Sequence, residues 1–295
     1  MKILVTGSSG FLGFNLLKLF EKNYKKIKLF ALYNKNKPKG LKKITKLIKT
    51  DLTHINFKDH YDLIIHCASK TRVNTQNDKN LYNNNVNSLK EILTKLSFNN
   101  FVFMSSNSVY GKSNGMKINE KTKLNANDYY GKSKIKCEKI LKELSKKKKN
   151  ILVLRLPAAV GINSHSNFIS KLMVAYKKNK DDLVTINNKE DLFNNTIHAE
   201  EIFNFIKIMI NKKSKYYYKD FVLGSKIPIN LKKIISIYEN FYKKKIKLRY
   251  IVTTNRNKII DFSKALKFGF KPIKTSSTIL KTLRNNNVKN ELQIK

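Results

Sequence analysis

Short aliphatic and aromatic runs alternate with longer amphipathic stretches through the first half of the chain. The runs KILVT (Lys2 to Thr6), IKLFALY (Ile27 to Tyr33), LIK (Leu47 to Lys49), DLIIHCA (Asp62 to Ala68), FVFMS (Phe101 to Ser105) and ILVLRL (Ile151 to Leu156) read as strands. They are nearly continuous in apolar residues, as strands are when both faces of their sheet are covered. Between them, Phe11 to Glu21, Leu81 to Leu96 and Tyr129 to Leu144 carry apolar residues at three-and-four spacing, which predicts helices. Strand and helix in alternation imply a parallel sheet, because each parallel pairing needs a crossover. The expected fold class is α/β, a doubly wound parallel sheet with a smaller C-terminal mixed α/β domain.

Beyond about residue 160 the rhythm loosens. Helices are expected at Asn167 to Lys178, His198 to Asn211 and Leu231 to Tyr242, with a strand at YKDFVLG (Tyr218 to Gly224). The expected division is a first domain over 1–160 and a second over 161–295, with about 195–225 returning to the first. KKKKN (Lys146 to Asn150) reads as a solvated helix end, where the carbonyl dipoles favour cations. The polar tail from Asn285 to Lys295 is expected to fray.

The first predicted strand runs straight into TGSSGFLG, with glycines at 7, 10 and 13. In a strand-to-helix turn such glycines permit the bend, let a pyrophosphate approach the backbone, and let the helix sit close to the sheet. The amides at the helix start then bind phosphate. The spacing is G-x-x-G-x-x-G rather than the dinucleotide fingerprint G-x-G-x-x-G, but strand, turn and helix follow in the required order.

Further motifs follow in register: DLT (Asp51 to Thr53), HCAS (His66 to Ser69), NNVNS (Asn84 to Ser88), SSNSVYG (Ser105 to Gly111), YGKSK (Tyr130 to Lys134), RLPAAVG (Arg155 to Gly161), NTIHAEEI (Asn195 to Ile202) and DFSKALKFGFKP (Asp261 to Pro272). With TGSSGFLG, they resemble the extended short-chain dehydrogenase/reductase family, in its NAD-dependent epimerase/dehydratase, nucleotide-sugar-modifying branch. The resemblance covers nearly the whole chain and implies a Rossmann-like fold. It implies a dinucleotide on Gly7, Ser9, Gly10, Phe11 and Leu12, with Asn34 near the ribose, Asp51 and Leu52 at the adenine, and Cys67, Ala68, Ser69, Asn85, Tyr130, Lys134 and Pro157 along the rest of the cofactor. It implies a catalytic set of Ser106, Tyr130 and Lys134, substrate contacts from Ser108, Asn167, Phe168 and Arg256, and a homodimer through the long helices.

Tyr-x-x-x-Lys alone carries no weight here. With 61 basic residues in 295, roughly three of 14 tyrosines should have a basic residue four places on by chance, and four do. Tyr130 stands apart because it lies on a predicted helix, where residues four apart share a face, and because the serine pair Ser105 and Ser106 ends the strand before it. A free phenol, with a pKa near ~10, is a poor base at neutral pH, and a neighbouring ammonium favours the phenolate. A tyrosine so activated can take the proton of a sugar hydroxyl while hydride leaves for a nicotinamide ring, with the serine holding the same oxygen.

The family's sugar 4,6-dehydratases follow the active Ser/Thr with Asp-Glu, whereas this chain has Asn107 and Ser108. Oxidation and reduction at one sugar carbon is therefore the expected chemistry, as an epimerase or a ketoreductase. The second predicted strand ends in LYNKNK, with no acid for a ribose; Asn34 can serve that role, and Lys35 or Lys37 can pair with an extra phosphate, so NADP is favoured over NAD. Where some epimerases of the family hold an arginine before the NTIHAEEI histidine, Asn194 stands here.

Composition narrows the alternatives. The 295 residues are 41% hydrophobic, enough to build a core. The formal charge of +41 would suit a polyanion, but only five of the 61 basic residues are arginine, and the lysines spread from end to end among Asn and Ile. That distribution fits an A/T-rich coding sequence, so no nucleic-acid partner is expected. The competing reading is a non-catalytic dinucleotide-binding sensor or nucleic-acid-binding protein on the same fold, which gives no reason to keep Ser106, Tyr130 and Lys134 together. Cys67 and Cys137 form no disulfide or zinc spacing, and five scattered histidines suggest no metal site. The opening MKILVTG is too short for a signal peptide's apolar region, and no run reaches the roughly 18 apolar residues of a span. A cytoplasmic protein without a membrane partner is expected.

Overall fold

A computed structural model describes the chain except residues 43, 72–78, 113–115, 166, 179–182, 212–216, 255 and 292–295, and gives only the backbone of 178 and 288–291. Residues 292–295, part of the tail expected to fray, lie outside the described residues. The chain forms two compact units. The first comprises Met1–Gly111, Thr122–Leu156 and Ile206–Phe221; the second comprises Lys112–Lys121, Pro157–Phe205 and Val222–Lys295.

The first unit is built on seven strands: β1 (Lys2–Thr6), β2 (Lys28–Tyr33), β3 (Thr45–Lys49), β4 (Asp59–His66), β5 (Leu96–Ser106), β6 (Asn150–Leu156) and β7 (Tyr218–Val222). Their order is β7-β6-β5-β4-β1-β2-β3, and the pairings from β3 through β6 are all parallel. The doubly wound sheet expected from the alternation is thus present. The order reverses at β1, which lies between β2 and β4, and Thr6 stands opposite Leu32 on one side and His66 on the other. In open α/β sheets this switch point, at the carboxyl ends of the strands, is where ligands bind.

Three helices serve this sheet, α1 (Phe11–Asn23), α2 (Lys79–Lys95) and α3 (Tyr129–Ser145). The apolar stripes of α2 and α3, through Val86, Leu89, Ile92, Cys137 and Leu141, join Ile64, Phe101, Phe103 and Val153 of the strands in one buried cluster. Each such side chain contributes about 1.5–3 kcal/mol by leaving water. Boundaries differ where polar residues mask a strand: β5 already begins at Leu96, directly after α2, because backbone pairing with β4 carries Ser97, Asn99 and Asn100 into the sheet.

The second unit has short strand pairs and four full-length or short helices of its own, with α5 (Ala199–Asn211) divided between the units. These are α4 (Phe168–Lys178), α6 (Leu231–Tyr242), α7 (Ser263–Lys267) and α8 (Thr275–Glu291). Residues 184–187 pair in parallel with 248–251, and 158–160 with 196–198. Its core gathers Ile169, Tyr176, Ile234, Tyr238, Ile279 and Leu283. Helix α8 escaped the pattern because its inward face includes Thr275, Thr278 and Thr282, all fully buried, which a hydrophobic stripe does not reveal. Residues 285–291, expected to fray, continue α8. Asn286 anchors that stretch by donating to the carbonyls of Gly161 and Thr282 at 3.0 and 2.8 Å.

Candidate functional site

The turn after β1 is fixed by close backbone approach. Gly7 has φ +65°, and a Cβ there would lie 2.6 Å from the Ala68 amide nitrogen, so only glycine lets the ends of β1 and β4 meet this tightly. Gly10 caps α1 without any side-chain hydrogen bond, which leaves the first amides of the helix directed outward as an anion cradle. Thr6 links the two strand ends beneath: its Oγ1 accepts from the Ala68 amide at 3.2 Å and bonds His66 Nδ1 at 2.8 Å. Burial, reinforced by Lys134, lowers the His66 pKa to about 3, so the imidazole is neutral and acts as a fixed hydrogen-bonding post.

A cleft of about 450 Å³ opens over this edge of the first unit. Of the residues expected at a cofactor, Gly7, Ser9, Gly10, Asn34, Asp51 and Leu52 line it, as do Cys67, Ala68, Ser69 and Asn85. Phe11 and Leu12 open α1 and are not in that lining, and Pro157 begins the second unit. The Asp51 carboxylate is held below the usual range by the amide and hydroxyl of Thr53, both at 2.8 Å, with further support from Asn34 and Lys70. Burial pushes the Cys67 thiol up to about 12, against the pull of Lys134, so it is inert at neutral pH. These features fit a dinucleotide: a glycine cradle that a Cβ would fill, uncapped helix amides, and an ionised carboxylate with an amide beside it. Asn85 also has a structural task, bonding both the amide and the carbonyl of Lys70 and donating to Ser133 Oγ at 3.1 Å. Lys35, Lys70 and Ser88 line the cleft as well; Ser88 closes the NNVNS motif one helical turn after Asn84, on the same face of α2.

Helix α3 presents the Tyr-Lys pair. Asp128 caps it, accepting from the Gly131 amide at 2.9 Å, and fixes where Tyr130 enters the first turn. Lys134 is buried, donates to the Met104 carbonyl at 2.9 Å, and places its ammonium 5.6 Å from the centre of the Tyr130 ring and 4.8 Å from that of Phe103. Ser106 closes β5 and caps the turn Asn107–Tyr110: its Oγ accepts from the Ser108 amide and donates to Ser108 Oγ, each at 3.1 Å. Ser106 and Ser108 are therefore together, as are Tyr130 and Lys134.

A model of the NAD dependent epimerase/dehydratase family matches residues 3–224. The chain belongs to that family. UDP-glucose 4-epimerase of Vibrio cholerae is 29% identical over 219 residues, 64% of each chain, and that of Pisum sativum is 26% identical over 167 residues, 49% of this chain and 48% of the other. The matched stretch spans about half the length of most of the curated relatives. The crystal structure of UDP-glucuronic acid 4-epimerase from Bacillus cereus in complex with UDP-glucuronic acid and NAD superposes with a TM-score of 0.82 at 19% identity, covering 99% of this chain and 100% of that one, and shows a shared fold.

In the second unit of this family member, Asn167 caps α4, with Oδ1 accepting from the Ser170 amide at 2.9 Å and Nδ2 donating to Ala159 and His165 carbonyls. Phe168 packs against Phe193. Arg256 pairs with Asp191 at 2.6 Å. Asn194 is buried and bonds both the amide and the carbonyl of Ile260 at 2.9 Å, a structural use of that side chain. His198 is buried, accepts from the Glu200 amide and contacts Asn285, and burial lowers its pKa to about 4. Among the described residues, no group of three or more His, Cys, Asp or Glu side chains could hold a metal ion, and no helix is long and apolar enough to cross a membrane.

Proposed function

We propose that this protein is an NAD(P)-dependent nucleotide-sugar epimerase or ketoreductase that moves a hydride at one sugar carbon with Ser106, Tyr130 and Lys134. One observation carries the reading: the buried Lys134 ammonium, tethered to the Met104 carbonyl, sits 5.6 Å from the centre of the Tyr130 ring. Tyr130 and Lys134, four residues apart, share one face of α3, which brings the phenol of a general base and the ammonium to the same side of the helix. Tyr130 takes the proton of the sugar hydroxyl, and Ser106 turns its hydroxyl from Ser108 to hold the reacting oxygen. The dinucleotide, when bound, accepts and returns the hydride. Asn107 and Ser108 supply no acid or base for loss of water, so the reading stays with oxidation and reduction.

The relatives named UDP-glucose 4-epimerases and the neighbour bound to UDP-glucuronic acid support a nucleotide-sugar as substrate. Ser108, Asn167, Phe168 and Arg256 are its proposed contacts. Half-exposed Arg256 would leave Asp191, whose side chain is 9% exposed and still accepts from the Asn257 amide, for a diphosphate. NADP is the proposed cofactor, since Asn34 and Lys35 line the cleft at the end of β2. A cytoplasmic homodimer through α2 and α3 is proposed too. The groove there carries Tyr82 and Tyr129 among Lys79, Lys132, Lys136 and Lys139, so two-fold pairing sets like charges together and should strengthen with salt in sedimentation.

The test is to identify any dinucleotide that copurifies, then to measure exchange of ring hydrogen over a panel of nucleotide-sugars. Tyr130→Phe should lower turnover at least about a thousandfold at nearly unchanged cofactor affinity. Undiminished turnover in that variant rules the mechanism out.

A further inference from the structure

Both ends of the turn that presents Ser106 are tied to one buried ion pair. Ser105, immediately before it, donates from Oγ to Glu138 Oε1 at 2.5 Å. Tyr110, at the far end of the turn, accepts at its hydroxyl from Arg155 Nη1 at 3.0 Å. Arg155 closes the frame by donating from Nε to both Glu138 oxygens at 3.1 and 3.2 Å and from Nη2 to Oε2 at 2.7 Å. Asp220 on β7 approaches the same Nη2 at 3.1 Å. Glu138 and Arg155 are 3% and 4% exposed.

Glu138 lies four residues after Lys134 on α3, one turn along the face that carries Tyr130 and Lys134. The frame therefore joins the serine to the tyrosine and lysine through side chains that belong to neither. Helix and turn are also in direct contact at their other end, where a Cβ on Gly131 would lie 2.6 Å from the Ser108 carbonyl oxygen. The pair is an uneconomical way to fill a core: desolvating two charges offsets most of their attraction, and apolar side chains of similar volume often serve stability as well or better. Burial opposes the Arg155 charge, and its hydrogen bonds to Glu138 hold it ionised. What the pair adds is direction, because a bidentate guanidinium fixes the relative placement of the groups it joins.

We propose that Glu138 and Arg155 are positioning residues that set the spacing of Ser106 from the Tyr130–Lys134 pair, with Ser105 and Tyr110 as the two attachment points of the Ser106 turn. The proposal rests on the Ser/Tyr/Lys reading above. It deepens it, because a misplacement of about 1 Å in such a set costs on the order of a hundredfold in rate.

Ser105→Ala and Tyr110→Phe each release one end of the turn and leave the ion pair whole, so both should fold. In the dinucleotide-loaded protein, exchange of the Ser108 and Gly111 amides, which are bonded inside the turn, should quicken about tenfold while the rest of the sheet keeps its protection. On a nucleotide-sugar that the wild type turns over, kcat should fall about tenfold to a hundredfold with KM and cofactor affinity within about twofold. Ser105→Thr, which keeps the hydroxyl, should restore kcat to within about threefold. A pair that only stabilises the fold would lower the melting temperature and leave kcat per folded molecule unchanged. Unchanged kcat in both release variants, or unchanged exchange in the turn, overturns the proposal. If the wild type is inert towards every sugar offered, the hydride-transfer reading fails, and amide exchange alone then decides whether the frame positions the turn.

Discussion

Asn34 and Asp51 in the first unit and Asn167 and Arg256 in the second were singled out by the same kind of argument, yet the fold uses them differently. Asn34 and Asp51 line a cleft at the carboxyl edge of a seven-stranded sheet; Asp51 answers the Thr53 amide and hydroxyl and is supported by Asn34, and both still face the cavity. In the second unit both ends of the Asn167 side chain serve the backbone around α4, and Arg256 is engaged by Asp191. Strands of two to four residues and their long connections leave backbone amides and carbonyls that side chains must answer. Polar residues there become structural before they become functional.

The largest test of this contrast is Gly7→Ala. With a left-handed φ and a Cβ forced to 2.6 Å from the Ala68 nitrogen, the edge of the cleft must open; dinucleotide affinity, measured by fluorescence titration, should drop at least about a hundredfold. Retained affinity would mean that the cradle is not where the phosphates rest.

Acid sharpens the comparison next, since each unit buries one neutral imidazole. In the unfolded chain a histidine takes up a proton below about pH 6.5, whereas folded His66 refuses it down to about 3 and His198 to about 4. The unfolded state therefore binds more protons across that interval, and stability is lost as pH falls. The loss is on the order of 1.4 kcal/mol per pH unit for each histidine. Denaturant melts from pH 7 to 4.5 should show it, and His66→Gln should remove roughly half of the slope; an unaltered slope would place the protons elsewhere.

The smallest effects belong to the second unit. Asn167→Ala should cost about 1 kcal/mol as a lost helix cap, and Arg256→Ala about 1 kcal/mol, because it takes the ion-pair partner from Asp191, whose side chain is 9% exposed. As proposed substrate contacts, either variant should also raise KM for the nucleotide-sugar about tenfold. Unchanged KM in both would confine Asn167 and Arg256 to their internal roles and sharpen the contrast.

Much of the lining of the cleft was legible because its requirements are local. Gly7, Gly10 and the strand before them sit within one turn of chain, and Asp51, Cys67 and Asn85 each follow a strand or lie on a helix whose position periodicity reveals. Tyr110 and Arg155 lie in motifs read from the sequence and Glu138 in a predicted helix, but none of the three was given a role there. A glutamate in a lysine-rich helix and an arginine in a strand carry no local mark, and 17 residues of sequence separate the two members of the ion pair. The threonine-lined face of α8 was missed for a related reason: its burial follows from what packs on it.

Order and spacing along the chain were enough to determine the alternating architecture and the glycine turn that closes β1, and to single out the serine, tyrosine and lysine proposed as the catalytic set. Backbone sterics and hydrophobic periodicity act over a few residues, so a linear reading captures them. Which buried charges meet, and whether a polar side chain is consumed by a neighbouring backbone or left for a ligand, was decided only in three dimensions. Those outcomes depend on the register between β5, β6 and α3 and on the unsatisfied groups that each loop brings to its surroundings, neither of which any short stretch of sequence encodes.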